Sequence, residues 1–427
     1  MRSGFAALGH RNYRLFWIGQ VVSLFGTWMQ SVAQSWLVLE LTHSTFQVGL
    51  VVALQFTPIL IFGLFAGVIV DRLDKRRALV VTQTLAAAQA AALAILTVTG
   101  AVRVEHVMLL AALLGTVNAL DMPMRQAFVT EMVGRRDVMN AVALNSSAFN
   151  IARIIGPAIG GVLIGLAGVA TAFFVNAVTF VAVIGALLMM RREELHPVER
   201  AAKETVWSGL RGGLGFVRRT PVVYVSILLV GIVATFGMNF NVILPGMARD
   251  IFRIGSTGFG LLMSSIGVGS LVAGLFLAFF QRVDPVRLMV QGALGFSVLS
   301  LAFAFSPHFA GLAWVILNLV AIGFCTICMT ATANTNLQRT APDALRGRVM
   351  SVYITIFAGT MPLGSLFAGW LASRFGAPVA LGSGGLLSAV GTAWAWWQLS
   401  RHGTVAADAA EPKSERAAIA RAGDTGR

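Results

Sequence analysis

A chain of 427 residues that is 57% hydrophobic and only 12% charged has too little polar surface to clothe a soluble globule of its size, and this composition belongs in a lipid bilayer. Its formal net charge of +14 is accounted for by membrane topology and contact with anionic lipid, so no nucleic-acid partner is called for.

Crossing about 30 Å of hydrocarbon takes about 20 helical residues, because every backbone amide must be satisfied internally where water is absent. Twelve stretches meet that need, at 15–40, 44–70, 78–102, 105–127, 139–167, 169–190, 221–246, 256–280, 285–305, 310–337, 349–373 and 377–400. They predict an all-α integral membrane fold. The start of the chain lacks the cleavage site of a removable signal, so helix 1 is expected to be retained.

In chain order, helix 1 carries Trp28, Gln30 and Gln34, which with Asn118 in helix 4, Asn239 and Asn241 in helix 7 and Asn318 in helix 10 predict an apolar cavity bearing sparse amides and rings. Such walls suit a mixed hydrophobic and polar ligand better than a sugar. Helix 2 ends in Gly67-Val-Ile-Val-Asp71-Arg72-Leu73-Asp74-Lys75-Arg76-Arg77. Gly63, Gly67 and Asp71, four apart, form one stripe along which a neighbouring helix can approach closely. A carboxylate at the end of its own helix opposes the helix dipole, so Asp71 is expected to seek a cation or another helix's N-terminus.

Helix 5 contains Ala152-Arg153-Ile154-Ile155-Gly156-Pro157-Ala158-Ile159-Gly160-Gly161. Ala152, Gly156 and Gly160 make a flat seam there, expected between the two halves, and Pro157 cannot donate to the carbonyl of Arg153, which predicts a bend. Arg153 lies within the membrane at a cost of roughly 2.5 kcal/mol or more, and its expected partner is either buried carbonyls or an anionic group on a cargo. Glu40 and Asp121, the nearest acids, fall at the outer end of helix 1 and the cytoplasmic end of helix 4. The loop 191–220 is dense in charge and forms the seam between halves. Cys325 and Cys328, inside helix 10, read as apolar packing, and a polar tail follows Arg401, expected to be disordered.

Basic residues set the orientation, because Lys and Arg resist translocation. With the N-terminus inside, Arg103, Arg249, Arg253 and Arg374 fall outside while most of the others are cytoplasmic. Both termini are thus expected in the cytoplasm, in a multi-pass protein of the cytoplasmic membrane.

A repeat organises the whole. Gln281–Arg287 is a degraded copy of the Asp71 loop about 210 positions on, Phe25–Gln30 aligns with Phe236–Asn241 at an offset of 211, and Val138–Asn140 aligns with Val349–Ser351 at the same offset. This predicts two pseudo-symmetric six-helix bundles, residues 1–190 and 221–400, joined by 191–220 and followed by a tail at 401–427, rocking about a midplane site.

The chain resembles the major facilitator superfamily over about residues 10 to 400. That family's signature between helices 2 and 3 is kept at Gly67, Asp71, Arg72, Lys75, Arg76 and Arg77, with Asp74 where the family usually has glycine. The resemblance implies a conformational switch in which Asp71 meets the start of helix 11 near Arg346 and Arg348. Gly156, Pro157, Gly160 and Gly161 look like the helix-5 signature of drug/proton antiporters. Arg153 to Pro157, with Asn239-Phe240-Asn241 and Pro245, looks like the branch holding macrolide efflux proteins and the enterobactin exporter. That branch implies outward transport of amphipathic, antibiotic- or siderophore-like molecules. Proton antiport is implied by the resemblance alone; Asp121 and Glu40 could carry the proton or serve as structural groups.

No Gly-x-x-x-x-Gly-Lys-Ser/Thr loop speaks for an ATP-driven pump, and no catalytic or metal constellation speaks for an enzyme, so neither cofactor nor metal is expected. The chain is expected to act as a monomer. The alternative is a facilitator or symporter importing a small nutrient.

Overall fold

The computed structural model describes residues 4–70, 72–196, 206–279, 284–306 and 311–409; these are helical nearly throughout, with no strand among them. The twelve crossings are α1 Arg11–Thr42, α2 Thr45–Val70, α3 Lys75–Val98, α4 and α5 as two arms of Val104–Ala167, α6 Val169–Leu188, α7 Pro221–Ile251, α8 Gly255–Phe279, α9 Pro285–Phe305, α10 Leu312–Thr340, α11 Asp343–Phe375 and α12 Ala377–Ala409.

The 64-residue run Val104–Ala167 would be roughly 96 Å long as one rod, about three times the hydrocarbon thickness. Gly134, at φ 68 and ψ 172, turns the chain where a side chain would be strained, dividing the run into arms 104–133 and 135–167. The sequence reading stopped helix 4 at 127. Arg125, Gln126 and Glu131 are polar but do not break a helix, so Asp121 lies roughly 18 Å from the end of its arm rather than beside it. Arg125 follows Asp121 by one turn on the same arm.

α7 is interrupted at Gly237-Met238-Asn239 and resumes as Phe240–Gly246 and a π turn, Met247–Ile251. At the break Asn239 Nδ2 donates to the Thr235 carbonyl at 2.7 Å, and the side chain packs against Gly364 of α11. Asn239 thus fills the break and is not a wall of the central cleft. α12 continues to Ala409, past the Arg401 at which a disordered tail was expected; the remainder of that tail, 410–427, lies outside the described residues.

The repeat is visible in the turns. His43 (φ 50) between α1 and α2 is matched by Arg253 (φ 55) between α7 and α8, and Gly168 (φ 81) after α5 by Gly376 (φ 90) after α11. Asp74 caps α3 by accepting from the Arg77 amide at 3.1 Å, and Asp284 caps α9 by accepting from the Val286 amide at 2.9 Å. An amphipathic helix, Val206–Arg219, precedes α7 and holds Gly212 and Gly213 against Arg348 at the start of α11.

Within the first bundle, α1 packs on α3 and α6 through buried amides: Gln30 Nε2 donates to Gln89 Oε1 at 3.0 Å, and Asn176 Nδ2 donates to Gln30 Oε1 at 2.6 Å. Gln30, expected in the cavity, faces away from it because two amides satisfy each other better than either would in lipid. In the second bundle Cys325 and Cys328 of α10 pack on Gly292 and Gly295 of α9. Asn318, seven residues before Cys325 and so in its register on α10, is buried with its Oδ1 unpartnered among the described residues.

Candidate functional site: a cleft between the two bundles

Two seams join the bundles, α5 to α8 and α2 to α11, and they are images of each other. A Cβ on Gly260 would lie 2.4 Å from the Pro157 carbonyl and 2.9 Å from the Gly161 Cα; a Cβ on Gly49 would lie 2.3 Å from the Ser365 carbonyl and 3.2 Å from the Gly369 Cα. Glycine permits this backbone contact because nothing projects between the helices. Fourteen residues further along α2 and α8, roughly 21 Å, a Cβ on Gly63 or on Gly274 would meet nothing within 4 Å. The backbone contact made at Gly49 and Gly260 is therefore not repeated at Gly63 and Gly274, towards the end bearing Arg72, Lys75, Arg76 and Arg77, although α2 and α11 still meet through side chains one turn earlier, where a Cβ on Gly359 would lie 2.7 Å from Leu60 Cδ1. The close approach expected at Gly63 is not made in this arrangement.

The closed end is sealed further. Trp36 of α1 stacks on Phe259 of α8 with ring centroids 6.2 Å apart, and Arg249 Nη1 donates to the Leu39 carbonyl at 2.9 Å and sits 3.1 Å from His43 Nδ1. Arg249 had been only a topology mark in the sequence. Its role emerges because α7 resumes after its break and carries the side chain across to the end of α1. Glu40, exposed at this end, accepts from Trp36 Nε1 at 2.6 Å.

The helix-5 motif divides its work between two neighbours. Gly156 and Gly160 lie against Trp28 and Met29 of α1, inside the first bundle, whereas Ile154, Pro157, Gly161 and Gly165 meet α8 of the second. The stripe of Ala152, Gly156 and Gly160 was expected to join the halves; the adjacent stripe does so. Arg153 falls between the two faces, its carbonyl level with Gly267, halfway between the Gly260 and Gly274 levels of α8. Its Nη2 donates to Asn150 Oδ1 at 3.1 Å, and its Nε is buried with no hydrogen-bond partner. Trp28 stands alongside, its ring edge-on to Phe149 at 5.7 Å, one turn from Arg153.

Among the other expected cavity residues, Gln34 donates to Gln55 Oε1 of α2 at 2.9 Å, Asn118 is half-buried without a described hydrogen bond, and Asn241 Oδ1 is buried without a partner. A recess of about 480 Å³ near the basic end, lined by Thr330, Ala331 and Asn334 of α10 and by Tyr353 and Phe357 of α11, was not anticipated. Tyr353 and Phe357 stack, and their spacing of four on one helix was the signal available.

Asp121 is 4% exposed. It accepts from Thr82 Oγ1 at 2.6 Å and from Gln83 Nε2 at 2.8 Å, both on α3, and from Arg125 Nε. Asp121 is thus a buried carboxylate enclosed by α3 and α4.

Around the basic loop, Lys75 Nζ donates to Glu131 Oε1 at 2.7 Å, and Arg76 donates to the last carbonyls of α6, Leu187 at 2.6 Å and Leu188 at 2.8 Å. Arg72 is exposed, and Arg77 lies 3.6 Å from Asp74. Asp71 and the surroundings of Gly67 lie outside the described residues. Arg346 Nε donates to the Gln338 carbonyl at 3.1 Å, and Arg348 lies over Gly212.

A family model described as transmembrane secretion effector matches residues 2–420. The multidrug efflux pump Tap of Mycolicibacterium fortuitum is 30% identical, over 82% of this chain and 87% of the relative. The staphyloferrin A transporter of Staphylococcus aureus is 26% identical, over 85% and 90% respectively. The enterobactin exporter EntS of Salmonella typhimurium is 23% identical, over 81% of each. Among solved structures, a bacterial homolog of the human lysosomal transporter Spinster, inward-facing and occupied, superposes with a TM-score of 0.73 at 13% identity, covering 92% of this chain and 97% of that one. The chain belongs to the transmembrane secretion effector family and has the twelve-helix major facilitator fold.

Proposed function

We propose that this secretion effector exports amphipathic small molecules, antibiotic- or siderophore-like, across the cytoplasmic membrane by alternating access coupled to inward proton movement. The observation that supports the reading is a wedge between the bundles, in backbone contact at the Gly49/Gly260 level and without it at Gly63 and Gly274, with Arg153 at the level between them. Such a wedge offers a bound molecule to one side of the membrane at a time, and rocking the bundles about the apex would offer it to the other. The efflux names of the relatives supply the direction.

The basic end faces the cytoplasm in this reading, with both termini, because cytoplasmic loops carry the excess of Lys and Arg. Residues 1–190 and 221–400 move as the two bodies, and 191–220 links them. When the basic end closes, Gly63 and Gly67 meet α11, and Asp71 meets its start near Arg346 and Arg348. One chain completes the cleft, so a monomer suffices.

Asp121 is the proton-carrying group, supported by its burial within the membrane beside a cation and two neutral donors. Protonation would release Arg125 and loosen α3 from α4, which gives the proton a mechanical consequence. Glu40, exposed and tied to Trp36, is better suited to holding the closed end.

The test is uptake into inverted membrane vesicles under an imposed pH gradient, across a panel of dyes, antibiotics and siderophores. Gradient-dependent uptake that falls at least tenfold in Asp121→Asn is expected. Uptake of no compound in response to the gradient would remove the antiport reading, and accumulation only in right-side-out vesicles would turn the protein into an importer.

A further inference from the structure

We propose that Arg153 is an anion-binding subsite, and that the cargo is an amphiphile carrying a compact oxyanion such as a carboxylate; this rests on the cleft being the transport site. Two arginines of the first bundle differ in what neutralises them. Arg125 is neutralised by Asp121 one turn away on its own helix. Arg153 has no acid beside it among the described residues. Its one described hydrogen bond goes to the neutral Asn150, on its own helix, and its Nε is buried without a partner.

A guanidinium presents five donors in a planar fork that matches a carboxylate with two parallel bonds. Of that fork Nη2 is engaged by Asn150 while the buried Nε meets no acceptor among the described residues, which is costly for a charged group in a membrane. The arrangement makes sense where the missing acceptor arrives with the cargo. The register supports this: Phe149, Gly156 and Gly160 face α1, and Ile154, Pro157 and Gly161 face α8, so the side chain between them enters the space those helices bound. The Trp28 and Phe149 rings beside it give the apolar body of the molecule a surface to lie on.

An amphiphile whose only charge is cationic would meet repulsion at this point, in a low-dielectric setting where like charges are weakly screened. The subsite therefore selects for charge type while the apolar walls tolerate variation in the remainder.

The purified full chain in phosphatidylcholine nanodiscs tests this with pyrenebutyrate and its methyl ester, binding being read from probe fluorescence against empty nanodiscs. The acid is expected to bind at least tenfold tighter than the ester. In Arg153→Gln that preference should fall to near unity, while Arg153→Lys retains part of it. Equal binding of acid and ester by the unaltered protein, no binding of the acid, or an acid preference that survives Arg153→Gln would each overturn the proposal. Because binding is measured without a gradient, a failure of export leaves this result standing, and export without acid preference removes the subsite alone.

Discussion

The closed and basic ends of the molecule are held by different kinds of contact, and the difference explains how two bundles can part without falling to pieces. At the closed end the bundles touch backbone to backbone across Gly49 and Gly369 and across Gly161 and Gly260, with one aromatic stack and one arginine reaching a foreign carbonyl. At the basic end Lys75 binds Glu131, Arg76 binds the end of α6, and Asp74 and Asp284 cap the next helix, each inside its own bundle. Among the described residues the ion pairs at the basic end lie within a bundle, whereas the seams between the bundles are built on small uncharged residues, which leave no buried charge behind when two helices part.

The largest expected effect comes from breaking a charge inside a bundle. Asp121→Leu leaves Arg125 unpaired in the membrane and is expected to cost about 3–5 kcal/mol, seen as a drop in thermal unfolding temperature in nanodiscs, whereas Asp121→Leu with Arg125→Leu recovers most of it. A single variant as stable as the parent would mean that these charges do not hold the bundle.

Next is the closed seam. Gly260→Leu drives a side chain into the Pro157 carbonyl and the Gly161 backbone, for about 1–3 kcal/mol or more. Cysteines placed at Trp36 and Phe259 in a background without Cys325 and Cys328 should then cross-link poorly. Arg249→Ala, which strips the Leu39 carbonyl of its donor, is expected to cost about 1 kcal/mol and to weaken the same cross-link less.

The two caps make a finer test of the repeat. Asp74→Ala and Asp284→Ala are each expected to cost about 1 kcal/mol, since both remove one amide acceptor; Arg192 near Asp74 is too exposed to add much. Losses differing by more than about 1 kcal/mol would deny the equivalence. Smallest in stability is Gly63→Ala, at a site where a Cβ meets open space: up to about 1 kcal/mol of stabilisation is expected from the better helix former. Export should nevertheless slow, because the basic end must close over that position once per cycle. Unchanged export rates would show that α2 never approaches α11 there.

Membrane residence, the duplication and the glycine-bearing stripes were legible because each is a matter of composition or periodicity. The failures share a cause. Gln30 read as a cavity residue because an amide in an apolar helix stands out, but sequence cannot tell the cleft from the interior of a bundle, and Gln30 found Gln89 and Asn176 inside. Asp121 was set at a helix end because polarity rises there, although only Gly134 ends the helix. In helix 5 the small residues were correctly singled out, yet neighbouring stripes only a fraction of a turn apart face different helices.

What the chain by itself determined is how many rods it forms and which of their faces are flat, since hydrocarbon leaves the backbone no alternative to helix and side-chain volume limits how near two helices can come. Which flat face meets which partner, what encloses Asp121, and that the Nε of Arg153 is left buried without an acceptor among the described residues were decided only on assembly. Those outcomes depend on the packing of residues far apart in sequence, and a choice among competing neighbours is made by all the helices together.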